Sequence, residues 1–351
     1  MISAKGRRWY GDYPKRLTTF GVIVCCFTLL LSGCQNNGNT NSGNSNSGPG
    51  QPSEPFRVTI NSWIGFAPLY IAQEKGLFDK NGVKVELVRI EDTGARKSSM
   101  VANKVDAYGA SVDGVALDVA QGMPGKIVMA FDQSNGADGI IAKNNIKSVQ
   151  DIKGKTVAVQ PGLTGHFLLM YVLSKNNLDY KSVKITDMDS DKAGAAFAAG
   201  KVDVAVTWEP WLSQAQRNGG HKLVTSAELS GVVVDTLCVT DKAYAEKRDQ
   251  IRSVIRAWFS ALDFMQSNPG EASQIMAKAY GLTEEQVRDY LSGVKFLGNA
   301  ENKSYLGSKG SPGQIFEIYR MANDIWKTNG IIENTTNPED HIDAGIVQEI
   351  Q

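Results

Sequence analysis

From Phe56 onward, the apolar and polar positions of the chain alternate between two periodicities. Short apolar runs predict buried strands, for example "FRVTI", "VKVELV", "KIVMAF", "KTVAV" and "VDVAV". The stretches between them carry apolar residues every three or four positions, which predicts helices. Beyond Asp241 the pattern is almost wholly helical. Alternating strands and helices are typical of α/β units with largely parallel sheets, so the predicted fold class is α/β.

One segment of this pattern occurs twice. Residues 100–122, "MVANKVDAYGASVDGVALDVAQG", align without gaps on residues 197–219, "FAAGKVDVAVTWEPWLSQAQRNG". In both, Lys-Val-Asp leads into an apolar strand, and a loop and a helix follow. The echo predicts two lobes of like construction. Ligands of open α/β sheets bind beyond the carboxyl ends of the strands, so residues 111–113 and 208–211 are expected to face a cleft.

The amino terminus has the pattern of an export signal. A basic head precedes a mostly apolar run at residues 17–31, which is shorter than the roughly 20 residues of a membrane-crossing helix. The run ends in "LSGC", which resembles the lipobox of bacterial lipoproteins. That resemblance implies a signal peptide over residues 1–33 and a lipid on Cys34. The alternative is an ordinary secretory signal with a chance cysteine. The Asn/Gly/Ser-rich stretch up to residue 54 predicts a disordered tether.

Composition narrows the function classes. The 351 residues include four cysteines, and Cys25 and Cys26 fall in the signal, so Cys238 alone remains beyond Cys34. No disulfide or cysteine-based metal site is expected there, and Cys238 is predicted to be a buried core residue. The first 33 residues hold five basic residues and one acidic residue, so the remainder carries a net charge of about −4 without a basic run. Nucleic-acid binding, a metal and a cofactor are not expected.

Three segments together resemble a known family. They are "NSWIGFAPLYIAQEKGLFDKNGVKVELV", "DIKGKTVAVQPG" and "GKVDVAVTWEPW", which with the helical tail resemble solute-binding proteins of nitrate, sulfonate, taurine and thiamine-precursor importers. The resemblance runs from Phe56 to about Lys327. It implies a two-lobe periplasmic-binding-protein fold with a two-strand hinge and a helical C-terminal part. Lobe 1 would comprise residues 55–145 and 232–345, and lobe 2 residues 146–231, with crossovers near 143–147 and 231–236.

The same resemblance implies a function and a location. The protein would be a monomer, exported and anchored by Cys34 at the cell membrane's outer face or in the periplasm. It would close on a small-molecule ligand and deliver it to the transmembrane subunits of an ABC permease. An enzyme like the thiamine-pyrimidine synthases is the less favoured alternative, because that enzyme resemblance implies a cysteine-rich motif and a cytoplasmic location. No catalytic residues are therefore predicted.

Carried over by position, the ligand site draws on strand ends and helix starts in both lobes. Several of these residues have a local alternative: Trp63 could be core, Asp113 a helix N-cap, Glu209 a partner of a helix dipole and His166 helix surface. Arg96 and Lys97 are assigned to a solvated helix face. The predicted ligand-binding residues are Trp63, Phe66, Ser111, Asp113, Thr164, His166, Trp208, Glu209 and Asp235.

The charge of these residues suggests a ligand class. Asp113, Glu209 and Asp235 beside tryptophan faces predict a small cationic nitrogen compound, such as an amine, an amidine or a guanidine-like solute. The alternative is a sulfonate, taurine or nitrate, bound by helix N-termini and by hydroxyls such as those of Thr93 and Thr164.

Overall fold

Two separate sheets carry the fold in a computed structural model, which describes residues 54–229 and 231–351. The first sheet has the strand order β11-β4-β10-β3-β1-β2, and the second has the order β7-β6-β8-β5-β9. The strands are β1 (Phe56–Ile60), β2 (Val85–Arg89), β3 (Ala107–Ser111), β4 (Lys126–Ser134), β5 (Asp138–Lys143), β6 (Thr156–Val159), β7 (Lys184–Asp187), β8 (Val204–Trp208), β9 (Gly220–Thr225), β10 (Val234–Val239), β11 (Val294–Phe296), β12 (Gly307–Ser308) and β13 (Ser311–Pro312).

Helices cover both sheets and form most of the chain after β10. Short 3-10 turns lie at Ile64–Phe66, Val149–Ile152, Tyr180–Ser182 and Ser226–Leu229. The helices are α1 (Pro68–Glu74), α2 (Leu77–Lys80), α3 (Thr93–Val101), α4 (Val112–Ala120), α5 (Thr164–Lys175), α6 (Ser190–Ala198), α7 (Trp211–Arg217), α8 (Asp241–Glu246), α9 (Arg248–Ser267), α10 (Pro269–Tyr280), α11 (Glu284–Leu291), α12 (Asn299–Leu306), α13 (Gln314–Thr328), α14 (Pro338–His341) and α15 (Gly345–Gln348).

Strand direction confirms the predicted α/β class and refines it. The pairs β1–β2, β1–β3, β6–β7 and β6–β8 are parallel. By contrast, β10 runs antiparallel to β3 and β4, and β5 runs antiparallel to β8 and β9. The central strands β3, β8 and β10 are buried along their whole length, because helices cover both faces. Cys238 lies buried in β10, as predicted.

The chain crosses between the sheets at two places. β4 ends in the first sheet at Ser134 and β5 begins in the second at Asp138, so the outward crossover is residues 135–137. The predicted position at 143–147 is too late, because "DGIIAK" forms β5 between β8 and β9 instead of extending the first lobe. The return crossover lies between Thr225 and Val234, so it begins before the predicted range of 231–236 and overlaps that range only in part.

The predicted signal peptide, Cys34 and nearly all of the predicted tether lie outside the described residues. Among the helices that the structure does describe, none combines the length and the apolar character needed to cross a membrane.

Candidate functional site

A cleft of about 490 Å³ lies between the two lobes. Lobe 1 contributes the segments that follow β1 and β2 and the start of α3, and lobe 2 contributes the segments that follow β6, β7 and β8. These are the carboxyl ends of strands, where α/β sheets bind ligands. The cleft is lined by Asn61, Ser62, Arg89, Glu91, Asp92, Thr93, Arg96, Gln160, Leu163, Asp189, Ser190, Asp191, Lys192, Trp208 and Trp211.

Beneath the cleft is a smaller space of about 40 Å³, which we call the chamber. The chamber and the cleft share five lining residues, and we call these the mouth: Asn61, Thr93, Arg96, Leu163 and Trp208. The rest of the chamber is lined by Phe66, Lys97, Gly109, Ala110, Ser111, Gly114, Asp118, Gly162, Thr164 and Asp235.

Two predicted site residues join the lobes at the chamber. The hydroxyl of Ser111, at the end of β3, lies 2.7 Å from the hydroxyl of Thr164, at the start of α5. Ser111 also caps α4, since its Oγ accepts a hydrogen bond from the Gly114 amide. The N-termini of α3, α4 and α5 therefore all begin at the chamber or its mouth. Their positive dipole ends and the two hydroxyls favour a negatively charged group there.

Arg96 is the basic residue that the sequence interpretation misplaced. It lies in α3, lines both the cleft and the chamber, and is only 6% exposed, so its assignment to a solvated face was wrong. Neighbouring cations have acidic partners: Lys97 pairs with Asp118 and Arg89 pairs with Glu91. Within residues 54–229 and 231–351, the Arg96 side chain has neither an ion pair nor a hydrogen bond. Residues that line the chamber with Arg96 come from β3, α5, β8 and β10, which are distant from α3 in sequence, so periodicity within α3 could not reveal its burial.

Trp208 and Trp211 form walls of the cleft on the lobe 2 side. Trp208 is buried at the end of β8, and Trp211 is half-buried at the start of α7. Trp211 packs against α6 at Gly194, where an added Cβ would come within 3.1 Å of the Trp211 Cβ. The indole N–H of Trp208 is buried and has no partner among the described residues. Trp208 therefore gives the mouth a flat apolar wall, and its indole N–H is a donor without a described partner.

Glu209, between these tryptophans, does not line the cleft or the chamber. Its carboxylate accepts hydrogen bonds from the Ser213 amide at 3.0 Å and the Ser213 hydroxyl at 2.7 Å, and it pairs with Lys222 Nζ at 3.1 Å. These contacts hold the start of α7 against β9, and so position the two tryptophans. The prediction that Glu209 supplies a free negative charge to the ligand is not supported by this geometry, because Lys222 already neutralises it.

Trp63 and Phe66 lie at the back of the first lobe. Trp63 is a core residue, which is the alternative to ligand binding that its position in the sequence left open. Its indole N–H donates to Asp132 Oδ2 at 3.4 Å, and its carbonyl accepts from the Tyr280 hydroxyl at 2.8 Å. Phe66 lines the chamber and packs edge-to-face on Phe131, with the ring centroids 5.4 Å apart.

His166 positions a loop and does not face the cleft or the chamber. Its Nδ1 accepts a hydrogen bond from the Gly162 amide at 3.1 Å, and its Nε2 lies 2.6 Å from the Tyr180 hydroxyl. Burial lowers the pKa of His166 to about 4, so the ring is neutral at physiological pH. Because Nδ1 accepts, Nε2 carries the hydrogen and donates it to Tyr180. His166 thus fixes the segment that leads to Thr164.

Four buried carboxyl groups lie around the crossovers: Asp113, Asp132, Asp138 and Asp235. Burial raises the pKa of Asp113 and Asp138 to about 7 and that of Asp132 to about 8. It also raises the pKa of Asp235 well above its usual range. Of the four, only Asp235 lines the chamber. Asp113 lies outside both linings, and the N-cap role considered for it belongs to Ser111.

These carboxyl groups make stability depend on pH with a definite sign. The pKa values of these carboxyl groups in the folded protein exceed that of an unfolded aspartate, about 3.9. At pH values between the unfolded and the folded pKa, the folded state binds more protons than the unfolded state, so the protein loses stability as the pH rises. His166 acts oppositely, since its lowered pKa adds stability as pH rises from about 4 to about 6.5. Between about pH 6.5 and 8.5 the contribution of His166 no longer changes, and the carboxyl groups alone make the stability fall as the pH rises. We expect calorimetry to show the melting temperature falling there by about 5 °C.

The isosteric variant Asp138→Asn is the control for this pH dependence. It removes one of the titrating carboxyl groups and should flatten the decline between about pH 6.5 and 8.5. A melting temperature that is constant or rises over this range in the unsubstituted protein would contradict the protonation states assigned here.

The described residues contain no group of three or more histidines, cysteines, aspartates or glutamates that could hold a metal ion. The cleft and chamber present a buried cation, two hydroxyls, helix N-termini and aromatic walls to a ligand.

Known proteins resemble this chain in sequence and in fold. A putative aliphatic sulfonates-binding protein of Bacillus subtilis (strain 168) is 25% identical over 283 residues, which covers 79% of this chain and 82% of the relative. A putative ABC transporter periplasmic binding protein of Brachyspira hyodysenteriae is 26% identical over 283 residues, covering 76% and 78% respectively.

A solved structure shows the same fold. The alkanesulfonate-binding protein SsuA from Xanthomonas axonopodis pv. citri, bound to MOPS, superposes with a TM-score of 0.70 at 18% identity, covering 84% of this chain and 99% of that one. The predicted two-lobe periplasmic-binding-protein fold is thereby confirmed. The NMT1/THI5-like family model matches residues 63–272, which is more than half of the chain. The chain therefore belongs to the NMT1/THI5-like family.

Proposed function

We propose that this chain is the extracytoplasmic receptor of an ABC importer and that its solute is an organic sulfonate. The relatives described as binding proteins support a solute-binding role, and they favour binding over catalysis. The observation that carries the choice of solute is Arg96. It is buried at the mouth without an acidic partner among the described residues, beside two hydroxyls and the N-termini of three helices.

A sulfonate group matches these donors chemically. It is ionised at every physiological pH and presents three equivalent oxygens, so it can accept from a guanidinium, a hydroxyl and an N–H at once. Arg96, the Ser111–Thr164 hydroxyl pair and the Trp208 indole N–H are donors of these three kinds around the mouth. Helix N-termini add favourable partial charge without needing a counter-ion.

The size and walls of the cleft favour an organic tail on the anion. A cleft of about 490 Å³ has room for about sixteen water molecules at roughly 30 Å³ each. An inorganic ion such as nitrate would leave most of that water in place. Leu163, Trp208 and Trp211 offer apolar surface to a carbon chain, whose burial contributes about 0.8 kcal/mol for each CH₂ group. We infer an aliphatic or aryl sulfonate with its head at the mouth.

A cationic solute fits these contacts less well. Glu209 is neutralised by Lys222, and Asp113 lies outside the cleft and chamber linings. Three of the four acidic residues that line the cleft have partners within the protein: Glu91 pairs with Arg89, Asp189 pairs with Lys192, and Asp92 caps α3. The cation hypothesis from the sequence relied on free carboxylates beside the tryptophans, and the structure supports the sulfonate alternative instead.

Delivery would follow from the two-lobe architecture. A solute at the mouth contacts both lobes, so its contacts are most numerous in the closed form and stabilise that form. We propose that the closed monomer presents the solute to the permease, and that a lipid on Cys34 and a tether up to residue 54 keep it near the membrane. The hinge would be the two crossovers, at 135–137 and between β9 and β10.

A thermal-shift screen tests this function. The chain from Gln35 onward, which retains every described element, would be heated with 1-hexanesulfonate, taurine, nitrate and 1-hexylammonium. Since only the native state binds, a ligand at a hundred times its Kd should add about 2.7 kcal/mol of stability. We expect 1-hexanesulfonate to raise the melting temperature most. If 1-hexylammonium is the only one of the four that raises the melting temperature, the sulfonate assignment is overturned and the cation hypothesis is supported.

A further inference from the structure

Three polar side chains form a row across the first sheet. Asp235 on β10 is paired in register with Ser111 on β3 and with Asp132 on β4. Directly paired residues project their side chains from the same face of a sheet, so the three lie side by side. Ser111 and Asp235 line the chamber, and Asp132 lies one strand further in, where it accepts from Trp63. The row leads from the chamber into the core.

Several charged groups lie around Asp235, and Arg96 is the basic one that acts on it directly. Asp132 on β4, Asp138 on β5 and Asp113 on α4 act on it as like charges, and Arg96 on α3 acts as the opposite charge. The chamber lining adds Lys97 and Asp118, which pair with each other. Buried carboxyl groups this close together cannot all be ionised, because mutual repulsion and desolvation both favour the protonated form.

The protonation state of Asp235 decides what Arg96 can do. An ionised Asp235 would attract the guanidinium and repel an incoming anion, so the carboxylate and the solute would compete for Arg96. A protonated Asp235 leaves Arg96 free and gains an O–H that can donate. Arg96, the two hydroxyls and the Asp235 O–H are then all able to donate to an oxyanion at the mouth.

We propose that Asp235 binds the anionic head of the solute in its protonated form, by donating its O–H to an oxygen of that head. This proposal rests on the proposed function, since it needs an anion at the mouth. Where Asp235 starts ionised, binding takes up one proton from solvent onto its carboxylate, and no bond of the solute forms or breaks. Binding of a permanently ionised sulfonate is therefore coupled to protons through the protein alone.

The first test is calorimetry of the chain from Gln35 with 1-hexanesulfonate between about pH 6.5 and 9. Above the pKa of Asp235, the Kd should rise by up to about tenfold for each pH unit, because one proton must be taken up. In that range the heat of binding should also differ between phosphate and Tris, since the buffer supplies the proton. This measurement needs no substituted protein. A Kd that is independent of pH and that Asp235→Ala, which lacks the O–H donor, leaves unchanged would overturn the proposal.

Asp235→Asn separates Asp235 from its neighbours. An amide can donate to the anion but cannot titrate, so this variant should bind at all pH values with a flat profile. Asp132→Asn is the matched control: it removes a neighbouring like charge and should move the pH profile to lower values without abolishing it. A profile unchanged by Asp235→Asn would assign the proton to another group. If no sulfonate binds the unsubstituted protein at any pH, the proposed function fails as well. Sulfonate binding that neither pH nor Asp235→Ala changes rejects only the role of Asp235.

Discussion

Arg96→Gln is expected to weaken the binding of 1-hexanesulfonate by roughly 30- to 1,000-fold. Arg96 is the buried cation at the mouth, and it forms no ion pair within the part of the chain that the structure describes. Removing one member of a desolvated charge pair costs about 2–4 kcal/mol, which corresponds to that loss of affinity. Glutamine keeps much of the volume and one amide donor, so the change reports mainly on the charge. Titration calorimetry measures it directly.

Two variants control this experiment. Arg57→Gln removes the same charge from lobe 1 at an exposed site, where Arg57 pairs with Glu86 outside the cleft and chamber, and it should leave the affinity unchanged. Glu209→Gln removes a buried charge next to Trp208 and should change the Kd by less than about threefold, because Lys222 and Ser213 already engage that carboxylate. A large loss for Glu209→Gln together with a small one for Arg96→Gln would show that the head-group site is misplaced.

Cys34→Ala is expected to release the protein from the membrane completely. The "LSGC" boundary predicts a lipid on Cys34, and two or more acyl chains anchor a protein stably where one chain binds only marginally. The variant should still be exported, since the basic head and apolar run of the signal are intact, and should appear in the soluble extracytoplasmic fraction. Fractionation followed by immunoblotting measures the distribution.

Cys25→Ala is the matched control for the anchor. It replaces the same residue type nine positions earlier, inside the predicted signal, and should leave the mature protein on the membrane. Retention of Cys34→Ala in the membrane fraction after a high-salt wash would count against the lipid anchor. Soluble release of both variants would point instead to a defect in signal processing.

The fold could be predicted from the sequence because its determinants are local. Apolar runs of four to six residues separated by amphipathic stretches specify buried strands and covering helices, and the echo around residues 100–122 and 197–219 indicated two similar lobes. The outward crossover was misplaced because it depends on pairing between distant segments. Nothing in "DGIIAK" itself shows that it will lie between β8 and β9.

The site could be predicted only as far as strand ends determine it. Ser111, Thr164 and Trp208 meet at the chamber because each lies where a strand ends or a helix begins, which sequence periodicity reveals. The electrostatics could not be predicted in this way. Whether a charged side chain is free to bind a solute depends on its partner in space. The carboxylate of Glu209 is ion-paired with Lys222 on β9, thirteen positions along the chain.

Arg96 and Asp235 show the same limit, because their chemistry also depends on residues that are distant in sequence. Arg96 looks like a solvated helix residue until residues of both lobes enclose it at the chamber. Asp235 looks like an ionised carboxylate until the crossovers bring three other carboxyl groups beside it. In both cases tertiary burial changes the chemistry of the residue, and with it the class of solute that the sequence suggested.

Titration calorimetry with two head-group-matched ligands tests the central claim most directly. 1-Hexanesulfonate and 1-hexylammonium share one alkyl tail and differ only in the sign of the head, so the tail contribution cancels in the comparison. At about pH 6.5 we expect the sulfonate to bind with a Kd in the micromolar range or tighter, and the ammonium to bind at least a hundredfold more weakly. Tighter binding of the ammonium would contradict the assignment of Arg96 as the head-group site and of this chain as a sulfonate receptor.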